Sequence, residues 1–328
     1  MSSHKGESGL LSIIICTKDR PAELARAIAA VRASGLVVQQ AEIVVVEEAE
    51  VPRDIPGVRY VPVPQTGRGF GYARNIGVQA SRGELIVFID DDCEATQGWG
   101  EALLEPFLNN PQVLGTAGAV LIKDAGAIGY AEGILGFPGG GLRYLDAAHG
   151  QVVPTRFLST CNCAYRRSAL LQAGGFSDEA RLGGEDFLLA ERVSALGPCV
   201  YVPNAVVYHQ PRGSIVSVCK WFIRRGRSEI RMLYLTRDRA RFTRFLLRSS
   251  WTLRALIMVA LLVRWPALIQ ILPGMALLYG GAILWRFRFA LKYPGYRQGW
   301  WIVPLVKATM DWGAEVGRWK GLISLGRA

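Results

Sequence analysis

The sequence predicts an α/β fold: a mixed, mostly parallel sheet flanked by helices over residues 1–212, then a basic, apolar helical region over residues 213–328. Three observations predict it. Short, largely apolar runs (Leu11–Cys16, Ile43–Val46, Leu85–Ile89) read as strands buried on both faces. Between the first two lies a segment of helical spacing, so strand, helix and strand follow within about 35 residues, the length of a βαβ unit. The second and third runs end in carboxylates, Glu47-Glu48 and Asp90-Asp91-Asp92. Adjacent like charges are costly to bury, so they belong at carboxyl ends of strands, where an open α/β sheet presents its ligand crevice.

Taken in order, Leu11–Cys16 leads into the loop Thr17-Lys18-Asp19-Arg20, and Pro21 suits the first turn of a helix carrying Leu24, Ile28 and Val31. Val58–Val63 is a short strand. Gly67–Gly77 superficially resembles a phosphate loop but lacks the G-x-x-x-x-G-K-[ST] order. A helix begins near Tyr72 and places Arg74 and Asn75 at its N-terminal end, where they can serve a diphosphate or simply close a turn. After the Asp triplet, Trp99–Leu108 is helical and Val113–Ile122 extended. Residues 123–156, rich in glycine and aromatics, read as a long mobile loop or lid. Leu158–Arg167 begins as a strand, Ser168–Phe176 as a short helix stopped by Gly174-Gly175, and Glu185-Asp186 open a helix to Gly197. As first-turn acids, Glu185 and Asp186 serve equally as helix caps or as chemistry. Cys199–Pro203 and Ala205–His209 complete the sheet; a lone His209 ending an apolar run is by itself more often structural than a ligand.

The net charge of +11 is unevenly spread. Residues 1–219 hold 18 Lys+Arg against 23 Asp+Glu, whereas residues 220–328 hold 20 against 4. The acidic part excludes a general nucleic-acid surface. The basic part is also Trp-rich and apolar, which suits an anionic membrane better than nucleic acid. Six scattered cysteines without a second C-x-x-C-like pair fit buried, reduced thiols. Met1–Gly9 is polar and Leu10–Cys16 too short for a signal-peptide core, so the catalytic part is expected in the cytoplasm.

Singly these motifs are ambiguous; their order is not. The series Ile13–Arg20, Val44–Glu48, Ala73-Arg74-Asn75-Ile76-Gly77, Phe88–Asp92, Gly174-Gly175-Phe176 and Gly184-Glu185-Asp186 resembles glycosyltransferase family 2, of the membrane-associated bacterial type, over roughly residues 10–212. The resemblance implies the GT-A nucleotide-sugar fold and a metal-dependent inverting transferase using Mg²⁺ or Mn²⁺. It implies Thr17, Asp19 and Glu48 around the nucleobase and ribose, and Arg74 at the diphosphate. Asp90 or Asp91 reaches the ribose, Glu185 adds to the substrate site, and Asp92 ligates the metal with Asp90 and His209. Asp186 is the general base. The family usually has Asp-Asp where this chain has Glu47-Glu48, which leaves the nucleotide open.

In the last third, Lys220–Arg227 and the arginines of 237–248 frame an apolar stretch. Ala255–Val263 and Trp265–Trp285 are nearly free of polar side chains, and only the second is long enough to span a bilayer. Arginines at both outer ends favour a re-entrant hairpin or leaflet-embedded helices at the cytoplasmic face over two full spans. Packing on the first domain or in a homodimer is the alternative. The Q-x-x-R-W motif of processive family members is absent, so one sugar is expected to move, to a lipid-linked or other membrane-proximal glycan acceptor in cell-surface glycan synthesis. A metal-dependent nucleotidyltransferase and a membrane scaffold with a degenerate nucleotide pocket are the competing readings.

Overall fold

The computed structural model describes residues 11–35, 40–237, 240, 243 and 251–325. The chain forms two compact units, residues 1–121 with 138–210, and residues 122–137 with 211–328.

The first unit is built on β1 (Leu11–Lys18), α1 (Pro21–Ala33), β2 (Glu42–Glu48), β3 (Arg59–Val63), α2 (Phe70–Ala80), β4 (Leu85–Ile89), β5 (Cys93–Ala95), α3 (Trp99–Asn109) and β6 (Gly115–Ile122). Strands β7 (Val153–Pro154), β8 (Asn162–Arg166) and β9 (Cys199–His209) and helices α6 (Arg167–Gln172) and α7 (Glu185–Leu196) complete its sheet and flanks. The strand order is β3-β2-β1-β4-β8-β6-β9-β5, with β7 paired to β9. The pairs β1–β2, β1–β4 and β2–β3 are parallel, whereas β8 joins β4 and β6 antiparallel.

Apolar runs become two-sided strands because both faces are covered. Ile13, Ile15, Val45, Val87 and Ile89 pack in one layer with Leu24, Ile28 and Val31 of α1 and Trp99, Leu103 and Phe107 of α3. Ile14, Val44, Val46, Ile86 and Phe88 pack in the other with Ala73 and Val78 of α2 and Leu189, Ala190 and Val193 of α7. The loops at the carboxyl ends of β1, β2 and β4 therefore share one edge of the sheet.

Three local readings change. Residues 123–156 are not one open loop: they hold α4 (Ala127–Ile134), α5 (Gly141–Ala148) and β7. Two of their glycines provide close approach: a Cβ on Gly129 would lie 2.6 Å from Pro211 and one on Gly133 2.9 Å from Tyr296. Second, β9 runs unbroken through Pro203. On β9, the antiparallel pairs with β5 and β7 cover Val207–His209 and Val200–Tyr201, and Pro203 lies between those two stretches. Third, β8 starts at Asn162, after a turn in which the Asn162 N–H donates to the Ser159 carbonyl at 2.9 Å.

In the second unit, α8 (Ile215–Thr236) starts from a reciprocal Ser214–Ser217 cap and packs on α12 (Val303–Leu325). The crossing is backbone-tight: a Cβ on Gly226 would meet the Ala314 carbonyl at 2.1 Å, and one on Gly317 the Ile223 carbonyl at the same distance. The apolar stretch forms α9 (Trp251–Arg264), a 3₁₀ segment (Pro266–Ile271) and α10 (Leu272–Arg286), followed by a short α11 (Arg297–Trp300). The run Trp265–Trp285 is thus split at Leu272, because Pro266 and Pro273 each start a new helical segment. Among the described residues no helix is long and apolar enough to cross a membrane. The arginine run of 237–248 lies largely outside the described residues.

Candidate active site

The carboxyl end of β4 delivers Asp90, Asp91 and Asp92 in three different directions, and each has a separate environment. Asp91 turns inward. The Thr17 hydroxyl donates to its Oδ2 at 2.7 Å and Arg20 Nη1 lies 3.3 Å from its Oδ1. Burial pushes its carboxyl up to about 6 against the pull of the Thr17 bond, with the charge of Asp92 adding to the rise. The Thr17 hydroxyl, expected at the nucleotide, is thus occupied in orienting Asp91.

Asp90 is tied on both oxygens. Arg74 Nη2 donates to Oδ1 at 3.1 Å and the Cys161 thiol to Oδ2 at 3.0 Å. Arg74, only 6% exposed at its side chain, also binds Glu185 Oε1 through Nη1. Burial alone would lower its pKa, but the carboxylates of Glu185 and Asp90 more than reverse that and hold it charged. Expected at the diphosphate, Arg74 instead clamps the end of β4 to the start of α7. Replacing it with methionine should cost roughly 3–5 kcal/mol in denaturant unfolding, since two carboxylates lose their buried partner. A loss under about 1 kcal/mol, the worth of an exposed pair, would show the clamp to be dispensable.

The placement of Arg74 follows from its neighbours on α2. Gly69 precedes the helix at φ 86°, where a Cβ would press the Arg181 carbonyl at 2.9 Å. Asn75 accepts from the Phe176 N–H and donates to the Phe176 carbonyl, both at 2.9 Å. The Ala73–Gly77 and Gly174–Phe176 motifs are therefore two halves of one contact. On α7, Gly184 at φ 89° turns the chain into the helix. Asp186 follows, half-buried, with Oδ1 accepting from the Phe187 N–H at 2.8 Å.

Asp92 faces outward and sideways. Its Oδ1 is 3.3 Å from His209 Nε2 and its Oδ2 3.1 Å from Arg20 Nη1. Ligand atoms of Asp92, Cys93 and His209 all lie within 4.8 Å of one another. His209 Nδ1 is buried with no hydrogen-bond partner. A carboxylate, an imidazole and a thiol within that span fit a divalent cation. Asp90, expected among the ligands, lies outside this group because Arg74 and Cys161 hold it.

The β2 end splits its two acids. Glu47, 2% exposed, is gripped by Arg53 and accepts from the Tyr60 hydroxyl at 2.8 Å. Glu48 pairs with Lys18 at 3.1 Å. Asp19, at φ 53°, receives Gln65 Nε2 at 3.3 Å, and the same amide lies 3.5 Å from the Glu48 carbonyl. Asp19 and Glu48 thus share Gln65 at the carboxyl ends of β1 and β2. Sequence reasoning missed Arg20 and Cys161 as contacts of the triplet. Arg20's place in the Thr17–Arg20 loop beyond β1, which pairs with β4, was the available signal; nothing local marked Cys161.

Residues 12–173 match the family described as Glycosyl transferase family 2. A curated relative, the Glucosyl-dolichyl phosphate glucuronosyltransferase of Haloferax volcanii, is 35% identical over 54 residues, 16% of this chain and 17% of its own length. Among solved structures, the mannosyltransferase PcManGT from Pyrobaculum calidifontis, in complex with GDP-Man and Mn²⁺, aligns with TM-score 0.61 at 20% identity, covering 95% of this chain and 87% of that one. GalNAc-T7 with UDP, GalNAc and Mn²⁺ aligns with TM-score 0.49 at 17% identity, over 67% of this chain and 48% of that one. By that match residues 12–173 form a glycosyltransferase family 2 domain, and the sheet that carries them has the GT-A architecture.

Proposed function

We propose that the protein moves one sugar from a nucleoside-diphosphate sugar to a lipid-linked or membrane-proximal acceptor, inverting the anomeric centre, at the cytoplasmic face of the plasma membrane. Cell-surface glycan synthesis is the setting that this chemistry suits. The observation that carries the reading is Arg74, which joins Asp90 of the triplet to Glu185, the neighbour of Asp186. The strand end that precedes Asp92 and the helix turn that carries Asp186 are thereby joined through one arginine.

Asp92 and His209 are the residues that would hold Mg²⁺ or Mn²⁺. Bound there, the cation supplies positive charge to offset what develops on the departing diphosphate. Asp186 accepts the proton of the acceptor hydroxyl as its oxygen bonds to the anomeric carbon; the diphosphate oxygen leaves with the bonding electron pair. Arg20, with half its side chain exposed, can turn from Asp91 and Asp92 toward that leaving group. Asp19 and Glu48 would serve the ribose and base. The named complex of the Pyrobaculum enzyme with GDP-Man and Mn²⁺, and the lipid phosphate in the Haloferax enzyme's name, support donor and acceptor classes. A thermal-shift series with nucleoside diphosphates tests the donor reading. We expect stabilisation by one nucleotide that needs Mn²⁺; uniform indifference to all of them would remove it.

The membrane part of the reading rests on the second unit. Leu277 and Leu278 are three-quarters exposed, as are Val263 and Trp285 to more than two-thirds, and no residue of α10 is buried. A soluble surface rarely carries so much contiguous apolar area. Arg264 and Arg286 end the two helices, and Arg288 stacks 4.0 Å from Trp285, a pattern that suits anionic headgroups. The full chain should float with vesicles containing anionic lipid. Leu277→Glu with Leu278→Glu should release it. A double variant that floats unchanged, or a wild-type dimer that stays in solution, would oppose the placement.

A further inference from the structure

The cation site contains one group that the transfer chemistry does not call for. Cys93 begins β5 and stands directly opposite His209 in the antiparallel β5–β9 pair, so both side chains rise from the same face of the sheet. The preceding residue, Asp92, is fixed from the other side, because its carbonyl accepts from the Gln210 N–H at 2.9 Å. Two neighbouring strands thus bring an oxygen, a sulfur and a nitrogen ligand into one cluster no wider than 4.8 Å. Ligand atoms sharing one tetrahedral ion at bond lengths of about 2.0–2.3 Å sit roughly 3.3–3.8 Å apart, so closure needs a contraction of up to about 1 Å. The imidazole, 8% exposed, keeps Nδ1 buried and unpartnered. The nitrogen that faces Asp92 is Nε2, at 3.3 Å, so Nε2 is the imidazole atom on the cluster side.

Resting on the reading of Asp92 and His209 as the cation site, we propose that Cys93 is a third protein ligand there, so that the site prefers a borderline-soft divalent cation, Zn²⁺ or Co²⁺, over Mg²⁺. Magnesium keeps to oxygen ligands and octahedral order, whereas imidazole and thiolate favour the later transition metals. As the sulfur–metal bond forms, the thiol proton passes to solvent and the sulfur supplies the bonding pair.

Cobalt supplies a readout independent of turnover. Chelator-stripped full chain is titrated with Co²⁺, and the thiolate-to-cobalt charge-transfer absorption is followed in the near ultraviolet. We expect the band in the wild type, its loss in Cys93→Ser and Cys93→Ala, and its retention in Cys199→Ser, whose thiol lies elsewhere. Zn²⁺ at equal concentration should abolish the band and excess Mg²⁺ should not. A wild type without the band, or Cys93 variants that keep it, overturns the proposal. The wild-type titration decides even if a variant fails to fold. Mn²⁺ binding, read from the free-ion electron paramagnetic resonance signal, separates the two readings. Mn²⁺ bound without a cobalt–thiolate band removes Cys93 alone, whereas no cation bound at all removes the site.

Discussion

Asp186→Asn should leave nucleotide-sugar binding intact and reduce transfer by about 10²–10⁴-fold, the usual worth of a general base. The substitution is close to isosteric. The amide oxygen it introduces can still accept from the Phe187 N–H, which reaches Asp186 Oδ1 at 2.8 Å, so the first turn of α7 keeps its local bond. What the amide cannot do is take up the acceptor's proton. The neighbouring residue provides the contrast: Glu185→Gln removes a charge from the Arg74 clamp and should appear first as lost stability. Melting temperature and turnover measured on both variants therefore separate chemistry from support. Transfer at wild-type rate in Asp186→Asn would send the search for the base elsewhere.

The second large effect is expected at Asp92. Alanine there removes the oxygens that face His209 at 3.3 Å and Arg20 at 3.1 Å. Loss of electrostatic stabilisation of a leaving group commonly costs about 10²–10³-fold or more in turnover. Donor hydrolysis with Mn²⁺ should fall by at least that, and the Mn²⁺-dependent part of the thermal shift should vanish. Asp90→Ala should behave differently. Its carboxylate is held by Arg74 and Cys161, so it should reduce stability before it reduces metal response. A reversed pattern would exchange the roles of these two aspartates.

The strands that build the site were readable because doubly buried strands leave largely apolar runs, and because carboxylates end those runs. The partners of the carboxylates were not. Glu47 and Glu48 look alike in sequence, yet alternation sends adjacent strand side chains to opposite faces. Glu47 ends against Arg53 and Tyr60, Glu48 against Lys18. Arg74 looked like a free cation at a helix start; its burial depends on Glu185, more than a hundred positions later, which no local pattern reveals. The glycines of 123–156 were misread for a related reason. Glycine signals flexibility or close packing equally well, and only the far sides of the contacts, Pro211 and Tyr296, show which applies. In the basic third, the apolar length was legible, but Pro266 and Pro273 divide it into pieces.

The arginine seated between Asp91 and Asp92 has a consequence for the working cycle. Its guanidinium would balance those two acids whenever a cation held by Asp92 and His209 were away, so the mouth of the sheet would not need to rearrange between rounds of binding.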